Sequence, residues 1–456
     1  MTGASHDALI TKYDVAGPRY TSYPTVPYWE RMPSAEQWLA GIARALDATP
    51  AGGASLYLHI PFCRSLCTFC GCNTRITRTH EIIMPYIGAL LAELDLYRRG
   101  IGERPLRLDE VHLGGGTPTF LNTQELEALL TGLIERAPLN EAASCSVEVD
   151  PRVTQREQLE LLARHRFRRL SIGVQDFDPR VQEIVNRVQS EACVAEVTAA
   201  ARSLGFDSVN FDLIYGLPLQ TLASIESTMD AVCRLRPDRI ALYGYAHVPW
   251  IRPGQRRFTD LDVPRAEQRR ELYEHSRERL AREGYRELGL DHFALETDSL
   301  WSAQQSGAMH RNFMGYSDRE VLPLIGLGVS AIGDAGDVFA QNEKDLRQYQ
   351  QRVQAGELPI HRGHLLDAED LVLRRHILNL MTRLETHWDG PGQYTGFLDQ
   401  IGARLAEPAA DGLVDLSDSG CRVTERGRAF LRNICMAFDA RLARRSPDGQ
   451  IFSRAV

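Results

Sequence analysis

Short apolar runs alternate with amphipathic stretches of helical length between residues 54 and 246. In the first such stretch Ile83, Ile87, Leu90, Leu91 and Leu94 fall on one helical face. A strand, a crossover helix and a parallel strand form a right-handed unit, so six such units curl into an open partial (β/α)6 barrel of the α/β class. The expected strands are 56–60, 110–113, 146–149, 170–174, 208–214 and 240–246, and further helices are expected at 159–164, 194–204 and 225–235.

A segment rich in Pro, Gly and Tyr precedes this repeat at residues 17–24. Its two prolines and the residues before them favour extended backbone, so it is not a regular helix. Tyr13, Tyr20 and Tyr23 surround Arg19, and aromatic residues are scarce in disordered chains. We expect an ordered arm that crosses another surface; the alternative is a flexible terminus.

The pattern of alternating strands and helices ends at about residue 365. A helix is expected at 368–383, a hairpin at 412–416 and 421–425, and a second helix at 426–442, an order that resembles a winged-helix module. No concentrated basic face precedes the hairpin, so we interpret the module as a structural cap and not as a DNA-binding domain. The expected parts are an arm and leading helix (1–50), a catalytic domain (51–364) and a mainly helical C-terminal domain (365–456).

The composition is that of an ordinary globular protein, with 43% hydrophobic and 25% charged residues in 456 positions. The net charge of −8 gives no overall attraction to nucleic acid or to an anionic membrane, so an anionic substrate would need a local basic pocket. No apolar run approaches the length of a membrane span, and the first residues lack a signal pattern. We expect a cytoplasmic monomer with no nucleic-acid or membrane partner.

Four of the nine cysteines, Cys63, Cys67, Cys70 and Cys72, stand within ten positions just after the first strand. Crowded thiolates need a neutralising metal, and soft sulfur ligands select zinc, copper(I) or iron–sulfur clusters. A zinc ribbon needs a second pair, yet the next cysteine is Cys145, and disulfides are rare in the expected reducing compartment. One residue separates the last two cysteines of the loop, which favours three ligands and one spare, with one metal position left open.

Polar or glycine-rich residues follow the other predicted strands, where α/β folds place their chemistry. The run Gly114-Gly-Gly-Thr-Pro118 can bring backbone close to a ligand, although such a run is more often a turn. A single carboxylate at a strand end is usually a helix cap, but several in succession indicate a site. A second glycine-rich segment, 324–333, either approaches a ligand or forms a buried final strand. The remaining strand-end candidates are Glu148, Asp150, Gln175, Asp212 and His247.

The spacing C-x3-C-x2-C after a strand resembles the signature of radical S-adenosylmethionine enzymes. The extended loop with Phe69 and Cys72 resembles one branch, the oxygen-independent coproporphyrinogen III oxidases, and similar segments run from residues 13–25 to 432–436. The resemblance implies a barrel of radical SAM type. It also implies a [4Fe–4S] cluster held by Cys63, Cys67 and Cys70, with its fourth iron open to S-adenosylmethionine.

The same resemblance implies two S-adenosylmethionine molecules and a catalytic role for Cys72 and Tyr57. Glycine backbone would lie near the methionyl group, carboxylates would bind amino or ribose hydroxyl groups, Arg187 a carboxylate, and apolar side chains adenine. Cys72 is expected close to the cluster without binding it. The implied cofactor residues are Tyr57, Phe69, Gly115, Gly116, Thr117, Glu148, Gln175, Arg187, Asp212, Ala246 and Ile332.

The implied reaction is anaerobic oxidative decarboxylation of two propionates of coproporphyrinogen III, giving protoporphyrinogen IX, and it needs a one-electron donor that the sequence does not name. Arg19, His310 and Arg311 are the candidates for binding the substrate carboxylates.

Three other interpretations were weighed against this one. A haem-binding, haem-transferring relative usually lacks the fourth cysteine and the arm at residues 17–24, and both are present. An iron–sulfur sensor with a DNA-binding C-terminal domain is disfavoured by the net acidity. A zinc-stabilised structural protein would be colourless.

Overall fold

The computed structural model describes residues 6–49, 53–445 and 452. The expected boundary between residues 50 and 51 lies outside them. The α-helices are α1 (His6–Tyr13), α2 (Ala35–Asp47), α3 (Ile83–Gly100), α4 (Thr123–Arg136), α5 (Arg156–Arg164), α6 (Pro179–Ile184), α7 (Glu191–Ser203), α8 (Leu222–Leu235), α9 (Ala266–Arg282), α10 (Ser299–Ser306), α11 (Leu346–Gln354), α12 (Ala368–Arg383), α13 (Ile401–Ala410), α14 (Leu431–Met436) and α15 (Ala440–Arg444). Turns of 3-10 helix lie at Val26–Tyr28, Pro118–Phe120, Pro253–Arg257, Gly396–Gln400 and Arg426–Phe430.

The β-strands form one large sheet and three small ones. They are β1 (Gly53–Ile60), β2 (Phe62–Cys63), β3 (Arg75–Ile76), β4 (Arg107–Gly115), β5 (Leu139–Val149), β6 (Phe167–Gln175), β7 (Ser208–Tyr215), β8 (Arg239–Gly244), β9 (Tyr285–Gly289), β10 (His292–Leu295), β11 (His310–Asn312), β12 (Gly315–Ser317), β13 (Leu324–Leu327), β14 (Ile332–Asp334), β15 (Val338–Asn342), β16 (Ile360–Leu365), β17 (Glu385–His387), β18 (Val414–Leu416) and β19 (Gly420–Val423).

Six parallel strands form the centre of the large sheet in the order β1-β4-β5-β6-β7-β8. They are the six strands that the sequence predicts, and α3, α4, α5, α7 and α8 lie in the crossovers between them. The strands are mostly buried apolar residues, as expected for a sheet covered on both faces. The predicted open barrel of the α/β class is confirmed, and the carboxyl ends of the six strands meet at one edge.

Short strands extend this sheet at both ends. Beyond β1 lie β13 to β16, and beyond β8 lie β10 and β9. The glycine-rich segment 324–333 supplies β13 and the first residues of β14, so the strand interpretation of that segment is confirmed. The sequence does not predict β9 and β10, because each has only five residues or fewer and little apolar alternation.

The C-terminal region combines helices with the three-stranded sheet β17-β19-β18, which includes the predicted hairpin. Helix α12 has the predicted bounds, and Asp367 begins it by accepting a hydrogen bond from the N–H of Asp370. The single helix expected at 426–442 is wrong. Asp439 breaks it, because its carboxylate caps the separate helix α15 by accepting from the N–H of Leu442.

The N-terminal arm is ordered against the C-terminal region, as predicted. Tyr13, Tyr20 and Tyr23 are buried in one apolar cluster with the C-terminal helices. The Tyr20 hydroxyl donates to Asp439 Oδ2 (3.0 Å), and Arg432 Nη2 donates to the Gly17 carbonyl (2.7 Å). Among the helices that the structure describes, none is both long and apolar enough to cross a bilayer.

Candidate active site

A cavity of about 510 Å³ opens at the carboxyl ends of the parallel strands. The cysteine loop forms one side of it and the hairpin β11–β12 part of another. Most of the predicted site residues line it, although they come from separate parts of the sequence. They are Cys63, Cys67, Phe69, Cys70, Cys72, Gly115, Gly116, Thr117, Glu148, Gln175, Arg187 and Asp212.

Two guanidinium groups surround Cys67. Arg187 Nη1 lies 3.6 Å and Arg152 Nη2 3.7 Å from its sulfur. Both arginines also bind Asp150 Oδ2, at 3.1 Å and 2.6 Å. Burial would raise the pKa of Asp150, but the hydrogen bonds and charges of Arg152 and Arg187 hold it below its usual range. Two cationic donors therefore lie beside this sulfur.

The other cysteines of the loop differ in their contacts. Cys63 Sγ lies 3.3 Å from Thr117 Oγ1, and burial raises its pKa to about 11. The Cys72 N–H donates to Cys70 Sγ (3.4 Å). Hydrogen bonding from the Cys72 side chain lowers the pKa of Cys70 to about 6, and the same contact raises that of Cys72.

These residues fit an iron–sulfur cluster in their donor chemistry. Four unpaired cysteines line one cavity, and two of them are adjoined by groups that stabilise negative sulfur. Thiolates are the usual protein ligands of such clusters. In the part of the chain that the structure describes, no three or more His, Cys, Asp or Glu side chains form a group that could hold a metal ion.

The glycine run at the end of β4 packs closely on the end of β1. Gly115 has φ +111°, and a Cβ there would lie 2.7 Å from the His59 ring. A Cβ on Gly116 would lie 2.7 Å from the Pro61 carbonyl oxygen. Close packing between the ends of the two strands is therefore enough to require glycine at both positions. Both glycines also line the cavity, and the Gly115 N–H donates to Glu148 Oε2 (3.0 Å).

Glu148 lies at the centre of a polar group on the strand ends. His112 Nε2 is 3.3 Å from Glu148 Oε1, and the Tyr57 ring stacks on the His112 ring at 5.8 Å. Burial would raise the pKa of Glu148, but the hydrogen bonds from His112 and Gly115 hold it below its usual range. Glu148 is thus a carboxylate that can receive a cation or hydroxyl groups.

Asp212 is a second carboxyl group in the cavity, with a different ionisation. Ser171 Oγ and Asn210 Nδ2 donate to it at 2.8 and 2.9 Å. Burial and the neighbouring charge of Glu148 raise its pKa to about 6. Gln175 ends β6 with φ +67°, in the left-handed region that residues other than glycine uncommonly adopt.

The end of the cavity away from the cysteines is aromatic. Tyr243, His292 and Tyr316 line it, and His292 Nδ1 donates to the Leu290 carbonyl (2.6 Å). Burial and the charge of Arg311 lower the pKa of His292 to about 3, so its ring is neutral. The Arg311 guanidinium lies 4.5 Å from the Tyr316 ring centre, and its buried Nε and Nη1 have no hydrogen-bond partner among the residues that the structure describes.

Known proteins match this chain over nearly its whole length. The Radical SAM superfamily matches residues 57–232. Oxygen-independent coproporphyrinogen III oxidase of Escherichia coli (strain K12) is 40% identical, and the alignment covers 98% of each chain. The enzyme of the same name from Pseudomonas aeruginosa is 39% identical over 98% of each. The chain belongs to the oxygen-independent coproporphyrinogen III oxidase family.

A solved structure supports the same assignment. Coproporphyrinogen III oxidase from Escherichia coli, described as a radical SAM enzyme, superposes with a TM-score of 0.87 at 38% identity, covering 96% of this chain and 100% of that chain. The fold and the family therefore agree.

Three predicted cofactor residues of this family member do not line the cavity. Tyr57 lies directly behind it, with its hydroxyl 3.0 Å from His59 Nδ1. The Ala246 carbonyl accepts from Gln255 Nε2 (3.1 Å), an amide that also lies 3.5 Å from the Phe69 carbonyl. Ile332 begins β14 and pairs with Gln341.

The predicted substrate residues are spread over three places. Arg311 does not line the cavity itself, but its guanidinium lies over the ring of Tyr316, which does. Arg19 is exposed and donates to the Gly244 carbonyl (2.7 Å), beside a separate pocket of about 40 Å³. His310 is buried, and its Nδ1 lies 3.8 Å from Glu320 Oε1. The structure does not bring these three side chains into one pocket of the described chain.

Four residues of the site were missed by sequence reasoning. Arg152 follows the strand-end pair Asp150-Pro and could have been found from that position. His112 lies inside β4, where alternation places it on the same face as Gly114. Tyr243 could have been found from its place near the end of the predicted strand β8, but His292 gave no signal, because it reaches the site only when β10 pairs with β8.

Proposed function

We propose that the protein catalyses the anaerobic oxidative decarboxylation of two propionate side chains of coproporphyrinogen III to vinyl groups, giving protoporphyrinogen IX. One observation carries the proposal. The four cysteines of the loop and eight further predicted residues, drawn from five strand ends or the loops after them, line one cavity in a chain similar over its full length to enzymes named for this substrate.

Cys63, Cys67 and Cys70 would hold a [4Fe–4S] cluster with one iron open to S-adenosylmethionine. When bound, the cluster and S-adenosylmethionine supply a 5′-deoxyadenosyl radical that abstracts hydrogen from a propionate. Arg152 and Arg187 would offset the negative charge at Cys67. The proposed set of two S-adenosylmethionine molecules follows the family resemblance.

The side chains of the cavity would bind and orient these molecules. Glu148, ionised and reached by the Gly115 N–H, would receive an ammonium or ribose hydroxyl groups. Asp212 and Gln175 would add polar contacts, and Phe69, backed by Ala246 through Gln255, would pack on adenine.

Other proposed residues act from the edge of the cavity. Arg187, Gly116 and Thr117 complete the proposed contacts within it, and Ile332 lies on the neighbouring strand β14. Cys72 holds a proton on its sulfur next to the cluster ligands. Tyr57 would position Glu148 by stacking on His112.

The aromatic end of the cavity suits a tetrapyrrole. Tyr243, His292 and Tyr316 offer ring faces, and Arg311, whose guanidinium lies over the Tyr316 ring, would donate its unpartnered N–H groups to a propionate. We assign Arg311 the first carboxylate contact. Arg19 on the arm would meet a second carboxylate at the outer edge, and His310 would position the hairpin through its pairing with Ser317.

The remaining proposals concern the protein as a whole. The arm and leading helix (1–50), the catalytic domain (51–364) and the C-terminal domain (365–456) are supported by two large apolar clusters, one within the barrel and one joining arm and C-terminal region. All nine cysteines are unpaired, which suits a reducing cytoplasm. The protein would act as a monomer supplied by a separate one-electron donor.

The test is an anaerobic assay of reconstituted protein. With reductant, S-adenosylmethionine and coproporphyrinogen III, it should show an iron–sulfur absorption band and release carbon dioxide and 5′-deoxyadenosine. Cleavage of S-adenosylmethionine without carbon dioxide release would contradict the substrate and keep the enzyme class. Retention of added haem without vinyl formation would favour the haem-transferring relative.

A further inference from the structure

The cysteine loop has a second cavity on its other side. Its volume is about 670 Å³, and Cys67, Cys70 and Cys72 line it as well as the main cavity. The loop is therefore a wall between two openings. A group held by these cysteines would be reached from one side by the molecules in the main cavity and from the other side by solvent.

Three cations line this second cavity, which we call the outer cavity. They are Arg252, Lys344 and Arg362, and none of the residues described as lining it is Asp or Glu. Partial burial, followed by the charges of Arg362 and Arg252, lowers the pKa of Lys344. Like charges that line one cavity, with no acidic side chain among the lining residues, cost free energy unless an anionic partner offsets them.

Two of the segments around the outer cavity are also free of acidic residues, whereas Glu343 and Asp345 flank Lys344 in the sequence. Neither residues 48–80, which contain the cysteine loop, nor residues 239–259, which contain Arg252, include Asp or Glu, although the chain has a net charge of −8. Arg64, Arg75 and Arg78 are exposed on the first of these segments. This cationic surface is thus local and opposes the overall charge.

Exposed apolar side chains lie on the same segments. Leu66 is 42% exposed, Ile76 42%, Trp250 46% and Ile251 51%. Apolar residues within a ring of charges are typical of a protein-binding surface.

We infer that the outer cavity and its rim form the docking surface for a small acidic one-electron carrier protein of the flavodoxin type. The inference rests on the proposed function, because it takes the cluster held by Cys63, Cys67 and Cys70 as the electron acceptor. One electron leaves the carrier, which is oxidised, and enters the cluster, which is reduced; no bond forms or breaks. Weak, charge-steered contacts of limited area are common in such electron-transfer pairs.

The test measures cluster reduction and binding without any substrate, so it is independent of the decarboxylation assay. Reconstituted protein is mixed anaerobically with a photoreduced acidic flavodoxin, and loss of the cluster's visible absorbance gives a second-order rate constant. We expect Lys344→Glu to lower this constant about tenfold at low ionic strength and Lys344→Glu with Arg362→Glu to lower it further. The difference should shrink as salt is added. Calorimetry with oxidised flavodoxin should show the matching loss of affinity.

Two controls separate docking from damage to the loop. Arg422→Glu reverses an exposed cation on the C-terminal hairpin, away from the cysteines, and should leave the rate constant unchanged. Photoreduced deazariboflavin, a small neutral reductant, should reduce all variants at the native rate.

Three results would overturn the inference. One is a native rate constant in both Lys344 variants. Another is equal slowing by flavodoxin and by deazariboflavin, since Lys344 would then act on the cluster itself. The third is competition between flavodoxin and coproporphyrin III for the surface, because the cations would then serve a tetrapyrrole carboxylate. A preparation that contains no cluster would instead contradict the proposed function.

Discussion

Arg311 is a half-buried cation with too few hydrogen-bond partners. Its guanidinium lies over Tyr316, while two of its nitrogen atoms are buried and have no hydrogen-bond partner in the described chain. Leaving buried donors unsatisfied is costly, so such groups are expected to meet a ligand. Burial of the guanidinium, more than its sequence neighbours, distinguishes it from the exposed Arg19.

Replacing Arg311 tests this assignment. We expect Arg311→Ala to raise the KM for coproporphyrinogen III roughly ten- to hundredfold, because a hydrogen bond to a charged group contributes about 1.5–3 kcal/mol. Cleavage of S-adenosylmethionine without substrate should not change, and Arg311→Lys should recover part of the affinity. Arg319→Ala, on the same segment but outside the cavity, is the matched control; an unchanged KM in Arg311→Ala would exclude the contact.

Cys67 and Cys72 should respond differently to the same substitution. Cys67→Ser removes the thiolate that two arginines adjoin, and we expect loss of bound iron. Cys72→Ser should retain native iron content and lose most turnover, because Cys72 contacts Cys70 without being assigned as a ligand. Iron and sulfide analysis with the anaerobic assay measures both effects. Equal loss of iron in the two variants would contradict the division of the loop into three ligands and one neighbour.

The sequence predicted the site residues at the ends of the parallel strands. It did not predict those that reach the site through the pairing of short strands. Glu148, Gln175 and Asp212 follow apolar runs, so their common location follows from the parallel order of the strands. Tyr243 lies near the end of the predicted strand β8, whereas His292 enters the cavity through the antiparallel pairing of β10 with β8. The pairing of short strands is difficult to predict from the local sequence.

At the scale of elements, α3 is joined to the turn between β13 and β14 by one buried carboxyl group. Glu93 accepts hydrogen bonds from the Gly328 N–H (2.9 Å), Tyr349 (2.7 Å) and Asn342 (2.6 Å). Burial nevertheless raises its pKa to about 7. The folded protein therefore binds a proton at Glu93 that the unfolded chain releases at lower pH.

This difference predicts a loss of stability as the pH rises. Between the unfolded pKa near 4.5 and the folded pKa of about 7, the free energy of unfolding should fall by roughly 3 kcal/mol through Glu93, and it should change little above that range. Urea unfolding at pH 5 and 7.5 measures the slope. The Glu93→Gln variant should be less stable, because an amide cannot accept all three hydrogen bonds. Its free energy of unfolding should also depend less on pH, because an amide does not titrate. Glu135→Gln, an exposed change on α4, should keep the native slope; a native slope in Glu93→Gln would contradict the assignment.

Long elements were predicted well because their packing is continuous. Helix α12 has the predicted bounds, since an Asp cap precedes an unbroken amphipathic run. The helix expected at 426–442 failed because Asp439 offers the backbone an alternative cap while accepting from Tyr20, a partner more than 400 residues away. The local sequence pattern around a helix cannot reveal a contact with a residue so distant in the chain.

At the scale of the whole molecule, the two ends of the chain form one structure. The arm contributes Tyr13, Tyr20 and Tyr23 to the apolar cluster of the C-terminal helices, and Arg432 binds the Gly17 carbonyl. The arm also passes Gly244 at the end of β8, where Arg19 is bound. The arm thus contacts both the C-terminal helices and the end of β8.

Removing one hydroxyl tests this junction. Tyr20→Phe should lower the free energy of unfolding by about 1 kcal/mol or somewhat more, because Asp439 loses a buried donor. Limited proteolysis should cut the arm faster in this variant. Tyr394→Phe, which changes an exposed tyrosine of the same region, should behave as the native protein; an unchanged arm in Tyr20→Phe would show that apolar contact alone holds it.

The contact between the N-terminal arm and the C-terminal helices also determines when the arm can pack during synthesis. Tyr20 and Tyr23 are made early, but their partners Asp439 and Ala440 appear about 420 residues later. At a translation rate of about 5–20 residues per second, the arm waits roughly 20–80 s for a surface to pack on. The barrel strands have all left the ribosome by then, so the cysteine loop is exposed to the cell before its surroundings are complete.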